Sequence, residues 1–144
     1  FFDVKRGVIG LAHAGWRGTA VSIAAKTVER MTESFGCERG DIYIYIGPGI
    51  SRCCFETGRA VYDEFAGKWD FTEDITDEKV NREGETKYYI DLKEMNRRQL
   101  VAAGVLPEKI EVSAHCTCCE PELFCSYRRE GGTYRRMGAG LCML

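Results

Sequence analysis

Apolar residues along this chain fall into short runs and helical stripes separated by glycine-rich punctuation. Val8 to His13 is apolar and ends in glycine-rich sequence, which predicts a buried strand running into the loop Ala14-Gly15-Trp16-Arg17-Gly18-Thr19. Ala20, Ile23, Ala24, Val28, Met31 and Phe35 then recur at helical spacing and predict one amphipathic helix stopped by Gly36. Asp41 to Ile46 alternates as a strand closed by Gly47-Pro48-Gly49, and Phe55 to Phe65 carries a second helical pattern. Trp69 to Lys87 is acidic, polar and weakly patterned, as expected of a surface excursion. Tyr88-Tyr89-Ile90 predicts a strand. Asp91 caps the next helix with Glu94 three residues on, Leu92, Met95, Leu100 and Val101 mark its buried side, and Gly104 ends it. Ile110 to Ala114 reads as a strand. Phe124 to Arg129 and Thr133 to Met137 read as a hairpin turned at Gly131-Gly132, and Leu141 to Leu144 as a closing strand. Interleaved helices and strands, with several strands in direct succession, predict a mixed α+β fold with a mixed sheet.

The length of 144 residues suits a single domain, and 44% hydrophobic content is enough for a core. A formal net charge of −2 offers no basic field for nucleic acid or an anionic membrane, so neither is an expected partner. No apolar run approaches the roughly 20 residues of a membrane span. Eight cysteines in a chain with long amphipathic segments are expected to be free thiols in a reducing cytoplasm. The start at Phe1-Phe2-Asp3, followed by a turn at Val4-Lys5-Arg6-Gly7, resembles the end of a strand whose beginning lies upstream. Residues 1–144 are therefore expected to be the C-terminal part of a longer domain.

The strongest local chemistry lies in His13-Ala14-Gly15-Trp16-Arg17-Gly18-Thr19. Gly15 and Gly18 let backbone approach a ligand, a following helix start would present unpaired N–H groups, and Arg17 adds a fork-shaped donor suited to phosphate. A tight turn with a solvated arginine is the alternative. His13 at the end of a buried strand is expected to be largely buried, as either a structural histidine or a metal ligand, and His115 is the only other histidine. Cys116-Thr117-Cys118-Cys119 contains one C-x-x-C but no second pair at zinc-ribbon spacing. On an extended segment the adjacent Cys53 and Cys54 would point to opposite sides. Alternation in Ser126-Tyr127-Arg128-Arg129 would place Ser126 and Arg128 on one face, able to address a phosphate or ribose.

These segments recur in order: His13 to Gly18; Ile46-Gly47-Pro48-Gly49-Ile50 with Cys53-Cys54-Phe55-Glu56; Asp91-Leu92 with Asn96 and Gln99-Leu100; Cys116-Thr117; and Phe124 with Ser126-Tyr127-Arg128-Arg129. Together they resemble the laccase-like, multicopper-polyphenol-oxidase-type purine nucleoside phosphorylases over essentially the whole chain. The resemblance implies a four-layer α-β-β-α sandwich related to the cytotoxic necrotizing factor catalytic domain. It also implies zinc-dependent phosphorolysis of adenosine, inosine, guanosine and methylthioadenosine, with adenosine deamination alongside. The zinc would be held by the histidine matching His13 and by a histidine and a cysteine upstream of Phe1. The catalytic candidates are thus His13, Arg17 and, for a thiol mechanism, Cys116, with Gly15, Gly18, Ser126 and Arg128 as substrate-binding candidates. The tail Gly132-Thr133-Tyr134-Arg135-Arg136 departs from the family's Thr-Gly-Arg and leaves Arg135 and Arg136 as alternatives for its arginine. Rival readings are a cysteine hydrolase or amidase pairing Cys116 with His13, and an inactive truncated homologue. Copper oxidase chemistry, the older name of the family, lacks any His-x-His arrangement in this sequence.

Overall fold

The computed structural model describes residues 1–132 and 135–143. The chain forms two compact units, one from Phe1–Gly47 and Asn96–Ser113 with residues from Gly138 onward, the other from Pro48–Met95 and Ala114–Met137. The mixed α+β class is as the sequence predicts, since one sheet is mixed and the other wholly antiparallel.

In the first unit β1 (Phe2–Asp3) pairs antiparallel with β2 (Val8–Ile9) and with β3 (Ile42–Ile46), and β7 (Ile110–Val112) lies parallel to β3. The β1–β2 turn is closed by Asp3, whose Oδ1 accepts the N–H groups of Lys5 and Arg6. β3 alternates as predicted, with Ile42 and Ile44 buried and Tyr43 and Tyr45 exposed. The expected single helix is two, α1 (Trp16–Ala20) and α2 (Ile23–Phe35), separated at Ser22, which takes a left-handed φ of 57°. α2 buries Ala24, Val28 and Met31 on one stripe, exposes Phe35, and ends at Gly36 with Cys37 N–H donating to Met31 O. These side chains form a core with Ile42, Ile44, Leu100, Val105 and Ile110.

The second unit holds the antiparallel sheet of β4 (Glu56–Thr57), β6 (Thr86–Ile90) and β5 (Thr76–Val80), in the order β4-β6-β5. The supposed surface excursion is thus largely a β-hairpin. Its outer strand, Thr76-Asp77-Glu78-Lys79-Val80, is mostly exposed and lacks apolar alternation, so pairing with β6 defines it rather than its own pattern. Asn81 Oδ1 builds the turn by accepting the N–H groups of Glu83 and Glu85. The helix expected from Phe55 starts later, as α3 (Arg59–Ala66), because Glu56 and Thr57 are taken into the sheet opposite Tyr89 and Tyr88. Phe65, Ile75, Tyr88, Ile90, Leu92 and Met95 are buried in this unit.

α4 (Leu92–Ala102) begins as predicted, with Glu94 N–H donating to Asp91 Oδ1 at 3.0 Å. The strand expected over Phe124–Arg129 does not form; the chain there makes successive turns, with Phe124 N–H bonded to Glu120 O and Glu130 N–H to Ser126 O. In the other proposed arm, Thr133 and Tyr134 lie outside the described residues, and Arg135–Met137 is irregular. Leu141–Met143 is also irregular, and Leu144 lies outside the described residues. Among the described residues no helix is long and apolar enough to cross a membrane.

Candidate functional site

The glycine loop of the first unit opens where the β2 ladder ends, after Gly10 N–H donates to Phe1 O. From there to Gly15 the backbone has no strand partner, and His13 is exposed rather than buried. The apolar run predicted a strand through His13, but pairing stops at Ile9, and a side chain beyond the ladder is not enclosed by it. A Cβ on Gly18 would stand 3.0 Å from the His13 carbonyl oxygen and 3.2 Å from Ile23 Cγ2, so the turn needs glycine there for close backbone approach. At Gly15 the corresponding neighbour is His13 Nε2, also at 3.0 Å. Arg17 is exposed, with its guanidinium carbon 4.3 Å from the centre of the Trp16 ring. With α1 only five residues long, Arg17 and the loop rather than a helix terminus would have to draw an anion.

A buried polar network fixes this loop. Thr19 Oγ1 donates to Ala14 O at 3.1 Å and accepts from Asn96 Nδ2 at 2.9 Å, while Gln99 Nε2 donates to Thr19 O at 3.0 Å. Thr19, Asn96 and Gln99 are all buried. Sequence reading left these three without a role, although a signal was present. Leu92, Met95, Asn96, Gln99 and Leu100 follow the stripe of a single helix face, and two of the five are amides. An amide within a buried stripe needs a hydrogen-bond partner, and the glycine loop supplies it.

The second unit gathers four thiols. Ser51 to Cys54 is a turn, with Cys54 and Phe55 N–H groups both bonded to Ser51 O, so Cys53 and Cys54 project to the same side. The expectation that they diverge assumed an extended backbone. Cys116 to Cys119 makes a second turn, closed by Cys119 N–H to Cys116 O at 3.1 Å, and Glu120 Oε1 accepts the Cys116 N–H. The Sγ atoms of Cys53, Cys54, Cys116 and Cys119 all lie within 4.8 Å of one another and could hold a metal ion. Burial alone would raise the Cys116 thiol, but the backbone N–H groups of Ser51, Cys119 and Cys118 bring it down to about 6. Cys54 is pushed far up by burial and by its thiol neighbours. Cys116 is 6% exposed among other thiols, surroundings that offer a hydrolase nucleophile little access to substrate.

His115 is exposed and its Nδ1 pairs with Glu120 Oε2 at 2.7 Å. That contact holds the Glu120 carboxyl below its usual range. Ser126 and Arg128 do not share a strand face. Ser126 is buried, and its hydroxyl accepts the Arg129 N–H, whereas Arg128 is exposed and donates to Glu56 O at 2.7 Å. Arg129 donates to the carbonyls of Thr117, Cys118 and Phe124. The two adjacent arginines thus hold the two thiol-bearing turns, one each.

The five ordered motifs extend beyond these sites to the whole sequence. A family model described as multi-copper polyphenol oxidoreductase laccase matches residues 1–144. The chain belongs to this family. Purine nucleoside phosphorylase YlmD from Bacillus subtilis (strain 168) is a relative 39% identical over 137 residues, covering 95% of this chain and 48% of that protein. Adenosine deaminase RL5, from an unknown prokaryotic organism, is 39% identical over 139 residues, covering 96% of this chain and 52% of that protein. A solved structure of the Bacillus licheniformis hypothetical protein YfiH matches with a TM-score of 0.81 at 39% identity, covering 91% of this chain and 48% of that one. The chain therefore spans about half the length of the laccase-family relatives it matches.

The resemblance would make His13 one of three zinc ligands. Among the described residues the four-cysteine set is the only group of three or more histidine, cysteine or carboxylate ligands, so no set is completed at His13.

Proposed function

We propose that this chain is the phosphate- and nucleoside-handling part of a purine nucleoside phosphorylase. The observation that carries the reading is the 39% identity, over 95% of the chain, to a protein named purine nucleoside phosphorylase. The loop geometry supports it, because Arg17 is exposed beside a turn that packs tightly on itself at Gly18. In this role Arg17 binds and orients phosphate, using a planar donor pair matched to its oxygens. A phosphate oxygen attacks the anomeric carbon of the ribose as the glycosidic bond breaks. The bonding pair leaves with the purine, which takes up a proton, and ribose-1-phosphate is the second product. The buried Thr19–Asn96–Gln99 bonds anchor the backbone two residues from Arg17. His13, exposed on the same loop, is available as one ligand of the family's zinc. Adenosine deamination is the second activity, supported by the relative named adenosine deaminase RL5. The unbridged cysteines suit a reducing cytoplasm.

The test is turnover of inosine and adenosine by the protein expressed at its full gene length, with and without phosphate. Base release should require phosphate and yield ribose-1-phosphate. Arg17→Ala should raise the phosphate KM by roughly ten- to a hundredfold, the worth of a charge-assisted contact. Phosphate should also raise the melting temperature of the wild type, and Arg17→Ala should remove most of that rise. Equal base release without phosphate would overturn the phosphorylase reading.

A further inference from the structure

We propose that Cys53, Cys54, Cys116 and Cys119 bind one zinc ion as a closed, structural tetrathiolate, separate from any metal held at His13. Two segments more than 60 residues apart in sequence bring these thiols together, and all four lie within the second unit. The sulfur–sulfur separations are 3.6 Å for Cys53–Cys54, 3.9 Å for Cys53–Cys116, 3.6 Å for Cys53–Cys119 and 3.3 Å for Cys54–Cys119. Zinc–sulfur bonds of ~2.3 Å in a tetrahedron require sulfurs roughly 3.8 Å apart, which is the scale of this cluster. A disulfide would need about 2.05 Å instead.

The surroundings fit a tetrathiolate as well. Each thiol gives up its proton as its bond to zinc forms, and no electron is transferred. Ser51 N–H donates to Cys116 Sγ at 3.4 Å, the kind of backbone contact that steadies a thiolate ligand. Arg128 on the Cys54 and Glu56 carbonyls, and Arg129 on the Thr117 and Cys118 carbonyls, place positive charge behind both turns. That charge offsets an anionic zinc–thiolate centre. With sulfur at all four positions, the ion has no open site for water or substrate, so its work is to staple the two turns. Sequence spacing conceals the site, because one ligand pair is C-x-x-C and the other two adjacent cysteines on a turn.

The test uses the protein expressed at its full gene length and purified under reducing conditions, with metal content read by mass spectrometry. One zinc should be retained in His13→Ala, lost when Cys54→Ser or Cys119→Ser is added to that variant, and kept when Cys125→Ser is added instead. Cobalt substitution of the wild type reads the same site without any variant having to fold. It should give the intense visible bands and near-ultraviolet thiolate-to-cobalt transitions of a four-sulfur tetrahedron. A wild type lacking those cobalt bands would overturn the proposal, as would a Cys54–Cys119 disulfide or loss of all zinc on His13→Ala. Iron or copper recovered at the four cysteines in place of zinc would overturn the choice of metal. Because the reading of phosphorolysis is tested by phosphate-dependent turnover, either result can fail without the other.

Discussion

The glycine loop of the first unit and the thiol turns of the second are both irregular backbone, yet they are fixed by opposite means. The loop is held from inside, by a buried threonine whose hydroxyl and carbonyl accept from the amide groups of buried Asn96 and Gln99. The turns are held from outside, by guanidinium groups reaching carbonyls and by thiols that gather against one another. A loop fixed by neutral hydrogen bonds to a helix is set once that helix packs. Turns fixed by charge and thiols remain open to metal, oxidant and salt. The difference suits the proposed roles, a phosphate loop that must stay in place and a staple that must be assembled.

The largest effect on this comparison is expected from Leu100→Ala, which removes a fully buried side chain from the core beside the amides of α4. It should cost about 2–5 kcal/mol in denaturant unfolding and weaken phosphate-dependent turnover through the loop. Arg129→Gln strips the charged donor from three carbonyls and should cost about 2–3 kcal/mol, given that its side chain is only 25% exposed. Arg128→Gln, at an exposed position, should cost less than about 1 kcal/mol by the same measurement. Equal effects of the two arginines would mean that they are not distinct clamps.

Thr19→Val leaves Ala14 O and Asn96 Nδ2 without their partner and should cost about 1–3 kcal/mol. In a double-mutant cycle with Asn96→Leu the costs should be less than additive, because the two groups satisfy each other. Additive costs would place the two side chains in separate networks.

The smallest effect concerns pH. Burial alone would raise the Asp3 carboxyl. The Arg6 N–H, the Cys37 thiol, the Lys5 N–H and the Arg6 charge together outweigh it and hold the carboxyl below its usual value. Its folded pKa lies below its unfolded one, so its stabilisation is complete above the unfolded value and is lost as pH falls through the folded value. Asp3→Asn should therefore flatten the acid limb of the stability profile. An unchanged acid limb would show that other carboxylates set it.

Much of the fold was legible because it is local. The α2 stripe with its stop at Gly36, the alternation of Ile42 to Ile46 and the Asp91 cap each depend on residues within a few positions of one another. Short-range periodicity and capping chemistry therefore suffice to place them. The glycine loop and the ordered motifs were also in the sequence, and with them the family. Tertiary structure decided the rest. Pairing with β6 made a strand of the mostly polar residues 76–80, and the end of the β2 ladder left His13 exposed. Turn geometry turned Cys53 and Cys54 to one side, and chain folding brought them to Cys116 and Cys119. Nothing in the spacing of those residues encodes a separation in space, because contacts so distant along the chain form only when the rest of the unit has packed.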